Sequence, residues 1–334
     1  MAIDTNKLKG KLPMNVGSGV RAIRNISLFV LLILSLIATI IIFRQVLVNE
    51  TYRAEYISLT DELRLLSQQM PPLALEASGG DPEAFGGLEE RVDLFLLALK
   101  KIQGGNAATG LPASPADVNP QVDAVLKAWA NMERNANLVV ESTEEMLTIQ
   151  EDADGIRLAS PELQAMMDEV LGLMVEAEVP AQQIYFASLQ LTYSERMASR
   201  LQEALQGDVG SATAANDFAK WTQAFRYSLN ILRGTEEDEA MTAVEDEGAK
   251  ELLEDVEAVF SAHEDNVDAI MDGISRFFQV REAAGQIFDD SRGLLEALDR
   301  LSAAYRVRGE SGIYTTQNGY ITGSLVVGLL LLLG

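Results

Sequence analysis

Four polar residues stand close together in one helix-compatible stretch: Asp61, Arg64, Ser67 and Gln68. Arg64 lies one turn after Asp61 and one turn before Gln68, beside the apolar Leu63 and Leu66. A guanidinium and an amide converging from one helix face can hold an anion or a polar ligand, with Ser67 and Asp61 as further contacts. The same spacing also makes Asp61 and Arg64 an ordinary i, i+3 pair on a wet face, which base rates favour. Spacing alone leaves both readings open.

The remaining candidates are weaker. His263 is the only histidine, and the chain has no cysteine. Protonation of His263 could place charge in a helical core, but a structural histidine at a core edge is the commoner case. One histidine without cysteine argues against a transition-metal site. The clusters Glu236-Glu237-Asp238-Glu239 and Glu245-Asp246-Glu247 lack the ligand spacing of a calcium loop, and read as solvated loop. Neighbouring acids such as Glu89-Glu90 and Glu144-Glu145 point apart on a helix. No phosphate-cradling glycine loop, nucleophile elbow or HExxH stretch occurs. The expectation is therefore a protein without catalytic residues, metal or cofactor.

The elements holding these residues are helices. Apolar residues make up 48% of the chain and aromatics only 6%, a balance that favours helix over sheet. Stripes at three- and four-residue spacing run Tyr56-Leu59-Leu63-Leu66-Met70-Leu73, Leu88-Val92-Phe95-Leu99-Ile102 and Val122-Val125-Trp129-Met132-Ala136-Val139, and a fourth, one residue per heptad, runs Ile149-Ile156-Leu163-Val170. Trp129 and Trp221 are expected in bundle interiors. Breakers separate the stripes: Ser78-Gly79-Gly80-Asp81-Pro82, the proline-bearing loop Gly104 to Pro120, a capping box at Ser142-x-x-Glu145, and Asp272-Gly273. Ser160-Pro161-Glu162 predicts a break or kink, and Pro180 separates two halves.

Those halves are copies. Gly80-Asp81 returns 127 residues on as Gly207-Asp208. From Val122 to about Val175 an offset of 131 holds without a gap, carrying Asn135 onto Asn266, Ile149 onto Val280, Ile156 onto Ile287 and Leu163 onto Leu294. Internal repeats fix architecture. Two tandem antiparallel four-helix-bundle modules follow, either stacked or side by side.

Ile26 to Phe43 carries no charge, and with Val46 to Val48 it is long enough to span a bilayer. Arg21 and Arg24 before it place the N-terminus in the cytoplasm. A second apolar stretch begins near Tyr320, and Ile321 to Leu333 is too short to span, so a truncated piece of a longer protein is expected. The expected plan is a cytoplasmic 1–25, a transmembrane helix over 26–48, module 1 over 49–180, module 2 over 181–312 and a truncated transmembrane helix over 320–334. Residues of about 49–318 would face the periplasm of a bacterial inner membrane. Of 26 basic and 50 acidic residues, six bases and one acid precede position 45, which leaves 45–334 at −29 (20 bases, 49 acids). Such a surface repels nucleic acid.

The segment Glu62-Leu63-Arg64-Leu65-Leu66-Ser67-Gln68-Gln69-Met70 resembles the first-helix signature of PilJ-type domains, the sensor modules of type IV pilus chemoreceptors. Leu111 to Trp129, the Val179-Pro180-Ala181-Gln182-Gln183 stretch and Ser194-Glu195-Arg196-Met197 are similar to the same family. The resemblance implies a homodimeric methyl-accepting receptor that drives a CheA-like kinase through a CheW-like adaptor, with pilin as a possible partner and pilus responses as output. The first-helix pattern is also similar to nitrate-sensor domains, in which an arginine holds an anion between two subunits. Arg64 matches that position, whereas copy two has Leu191. A non-signalling scaffold of the pilus machinery, or a small-anion sensor, is the alternative.

Overall fold

The computed structural model describes residues 16–207, 209–237, 242–311 and seven positions between 320 and 328. Eight helices follow one another: α1 (Val16–Ser78), α2 (Pro82–Gly104), α3 (Asn119–Glu141), α4 (Thr143–Glu176), α5 (Ala181–Ala204), α6 (Ser211–Arg233), α7 (Glu247–Ala262) and α8 (Glu264–Ser311). Among the described residues the only β pairing is an isolated bridge, Asn106 to Leu111. The all-α expectation holds. The stripe residues are buried as their spacing requires, Leu73 alone being half-buried. The apolar Phe29, Leu34, Ile37, Ile40 and Ile41 of α1 stay exposed, and α1 is the one described helix long and apolar enough to cross a membrane. The predicted segment over 320–334 and the first fifteen residues lie largely outside the described residues.

Two compact units divide the chain. The first holds Met1–Asp61, Lys100–Gln121 and Asp299–Gly334; the second holds Glu62–Leu99 and Val122–Leu298.

Within the second unit the helices pack in an exchanged pattern. α4 packs with α5 and α7, and α6 with α5 and α7, around a core of Met167, Val170, Met174, Leu201, Phe225, Leu229, Leu253 and Phe260. The far end of α1 meets α2 through Arg91 and Gln69 (3.3 Å). α2 meets α3 through stacked Phe95 and Trp129, centroids 4.0 Å apart. α8 joins this second group through Gln286 on Asn135 (3.2 Å) and Arg281 on Ser78 Oγ (3.3 Å). The sequence copies are α1–α4 and α5–α8, yet the fourth helix of each packs with the first three of the other.

The physical reason is that α3 leads almost straight into α4, and α7 into α8. Neither can fold back onto its own copy without a turn. The two rods run antiparallel in one register. Glu145 pairs with its own repeat equivalent, Arg276 (3.4 Å). On either side Asn135 meets Gln286, and Asn266 Nδ2 lies 2.7 Å from the place a Gly155 Cβ would take. The hairpin tips obey the same symmetry: Gln150 fills the space beside Gly80, and its equivalent Arg281 fills the space beside Gly207. Both glycines have positive φ (88° and 70°), so a side chain there would be strained and would collide. The two hairpin tips meet where Arg281 bonds Ser78 and the Gln206 carbonyl.

Three local expectations are corrected. Ser142 is no capping box, because its hydroxyl donates back to the Leu138 carbonyl (2.7 Å) at a slight jog between α3 and α4. Asp272-Gly273 lies inside α8, since the joint falls earlier, at His263. Pro161 does not break α4, which runs through it, with Ser160 Oγ against Ser194 Oγ (3.2 Å) in the packed interior. Pro180, in contrast, does sit at a turn, just before α5.

Candidate functional site

The four candidate ligand residues share α1 but not one face. Asp61 and Gln68 are exposed and Arg64 is half-buried. Ser67 is fully buried, and its hydroxyl donates to the Arg64 carbonyl at 2.8 Å. The wet set is thus Asp61, Arg64 and Gln68, with Ser67 facing the bundle.

Two further features of α1 bear on this set. Pro71 and Pro72 lie inside α1, where they withdraw the amides that would bond the Ser67 and Gln68 carbonyls. Those carbonyls lie one turn from Arg64. Second, Thr51, Ala54, Ser58, Asp61, Leu65, Gln68, Pro72 and Leu75 are all exposed, at alternating three- and four-residue spacing. Leu65 and Leu75 are each more than half exposed. A heptad stripe left open on one helix has the geometry of a helix–helix seam. Its spacing is legible in the sequence.

His263 caps the end of α7, half-buried. With Ser160, Ser194, Met197 and Phe260 it lines a small cavity with room for a water molecule. Its Nδ1 takes no hydrogen bond among the described residues. Asp246 of the second acidic cluster is an N-cap, accepting from the Ala249 amide at 2.9 Å. Asp238 and Glu239 lie outside the described residues. No group of three metal-capable side chains occurs among the described residues. Trp221 is a correction: it is half-buried between α5 and α6, stacked on Tyr193, with Arg196 4.4 Å above its ring. Trp129 is buried as expected.

The class defined so far is a duplicated helical bundle built on a membrane-length helix. Residues 46–156 match the family model described as PilJ, the type IV pili methyl-accepting chemotaxis transducer N-terminal region. Over 324 residues, 96% of the chain, the sequence is 29% identical to the protein PilJ of Pseudomonas aeruginosa, of which it covers 47%. It is 27% identical over 86% of its length to a protein of Alcanivorax borkumensis provisionally described as methyl-accepting chemotaxis AlkN, of which it covers 41%. The chain spans about half the length of these curated relatives. Residues 46–156 are thus similar to PilJ-type N-terminal regions, in line with the resemblance of the first-helix signature.

Proposed function

We propose that this chain is the sensor and membrane-anchoring region of a methyl-accepting chemotaxis-type transducer for type IV pili. Modules over 49–180 and 181–312 face the periplasm, the N-terminus is cytoplasmic, and two chains pair along α1. The observation that carries the reading is the match over 96% of the chain to a protein named PilJ. The open heptad stripe on α1 supports the pairing. A periplasmic stimulus, pilin among the candidates, biases helix positions, and a CheA-like kinase coupled through a CheW-like adaptor reads them. Differential binding to two packed arrangements supplies the bias.

Arg64 and Gln68, with Asp61 beside them, form the ligand contact of this reading, an anion or polar group held next to the seam. Ser67 orders the Arg64 backbone from the bundle side. The test deletes residues 49–311 from the full-length receptor in its own cell. Loss of stimulus-dependent kinase output with pili still assembled is the expected result. Loss of pilus assembly with kinase output intact would favour the scaffold. Arg64→Ala should blunt the response to an anionic stimulus, and an unchanged response would remove Arg64 from the mechanism.

A further inference from the structure

α1 and α8 are the helices adjoining the two apolar stretches of the sequence, and within the first unit one loop holds both. Tyr56 lies eight residues beyond the apolar run of α1, about 12 Å of helix. Its ring stacks on Tyr305 of α8, centroids 4.6 Å apart and planes within 5°. The Tyr56 hydroxyl donates to the Pro112 carbonyl (2.6 Å), with the Ala113 carbonyl at 3.1 Å. The Tyr305 hydroxyl bonds the next residue's hydroxyl, Ser114 Oγ (2.8 Å). Neighbouring side chains repeat the pattern: Glu55 accepts from Asn106 (3.0 Å) and Thr109 (2.6 Å), and Arg308 pairs with Asp117.

The loop is itself fixed. Gly105 has φ +87°, and a Cβ there would stand 2.5 Å from the Leu111 carbonyl oxygen. The Asn106 amide donates to Leu111 (2.8 Å) and the Ser114 amide to Ile102 (2.9 Å). Both rings are buried, at 4% and 1% exposure. Sliding one helix past the other by 1–2 Å would separate the rings and strand both hydroxyls away from water, so the contact is either made or broken.

The repeat shows that a bundle does not require this arrangement. The equivalents of Tyr56 and Tyr305 are Gln183 and Met174. Gln183 Nε2 donates to Thr242 Oγ1 and to the Ala243 carbonyl, both at 2.9 Å, so the helix-to-loop bond persists. The ring stack does not.

We propose that Tyr56, Tyr305 and Ser114 form a latch that fixes the axial register of α1 against α8 outside the bilayer, and that release of this latch is the conformational step by which the transducer signals. The second half of the proposal rests on the transducer reading; the first does not.

The described residues and the sequence contain no cysteine, so two can be placed at will. Spin labels at Thr51→Cys and Val307→Cys, in the full chain reconstituted in lipid nanodiscs, report the α1–α8 distance by pulsed electron resonance. One narrow distance is expected for the parent. The Tyr56→Phe/Tyr305→Phe double variant keeps both rings and loses both hydroxyl bonds; its displaced fraction should rise roughly tenfold. Tyr305→Ala should displace more. An unchanged distribution in both variants overturns the latch. A displaced distribution with unaltered kinase output in the full-length receptor keeps the latch as a register device and overturns its signalling role.

Discussion

The two copies of the repeat solve one packing problem with different side chains. Beside the membrane-length helix, a loop is held by two stacked tyrosines and a serine. At the equivalent layer of the other bundle, Gln183 bonds the matching loop while Met174 fills the core. The loops share a backbone device: the Ser114 amide reaches Ile102, and the Val244 amide reaches Leu232, each at 2.9 Å. What differs is directionality. A methionine packs in many orientations, whereas stacked phenols with bonded hydroxyls accept one. The tyrosine layer is therefore the one that resists sliding.

The largest test of that difference is truncation. Tyr305→Ala should destabilise by about 3–5 kcal/mol and Met174→Ala by about 2–4, both read as urea midpoints. Equal costs accompanied by equal changes in label distances would erase the contrast. Next come the hairpin glycines. Gly207→Ala meets both a positive φ and the Arg281 side chain, and should cost about 1–3 kcal/mol. Gly80→Ala, whose new Cβ would run into Gln150 Cγ close to the backbone at a φ of 88°, should cost at least as much. Removing one helix-to-loop bond by Tyr56→Phe or Gln183→Leu should cost about 1–2 kcal/mol in each layer.

An alkaline titration separates the layers by sign. Burial pushes the Tyr305 hydroxyl up to about 12 from its ordinary 10.0, and Tyr56 also moves upward, chiefly by burial. The folded chain thus holds these protons more tightly than the unfolded chain. Their contribution is complete below pH 10 and is lost as pH rises toward about 12. Tyr305→Phe should flatten that loss, and Gln183→Leu should leave it in place. The smallest effect belongs to Glu145 and Arg276. Glu145 is exposed and Arg276 half-buried, so Glu145→Gln should cost about 1 kcal/mol or less.

Much of the helical fold was legible because burial imposes periodicity. Val122 through Val139 could be placed on the buried face of α3 from spacing alone. Turn chemistry was less reliable. Gly80 and Gly207 mark real turns, since their φ demands glycine. Ser142 and Asp272-Gly273 have turn-forming composition but sit where rods continue, because packing on both sides outweighs a local preference. The candidate ligand set was half legible. Arg64 and Gln68 stand where a helical reading puts them, but only neighbouring helices decide that Ser67 faces inward. The tyrosine latch was not legible. Tyr56 appeared as one more apolar stripe residue, and Tyr305 stands 249 positions away from it.

The sequence by itself determined an all-helical chain, its duplication, its membrane-length apolar run and the likeness of its first module to PilJ-type regions. These are properties of composition, spacing and internal similarity, each carried by residues near one another or at a fixed offset. Only the tertiary structure decided which helices share a core. The exchange of α4 and α8 depends on whether a rod bends at Ser142 and His263; the rods continue there and lie antiparallel, in a register marked by Asn135 with Gln286 and Glu145 with Arg276. Contacts between residues more than a hundred positions apart leave no mark on local periodicity, so the sequence cannot announce them.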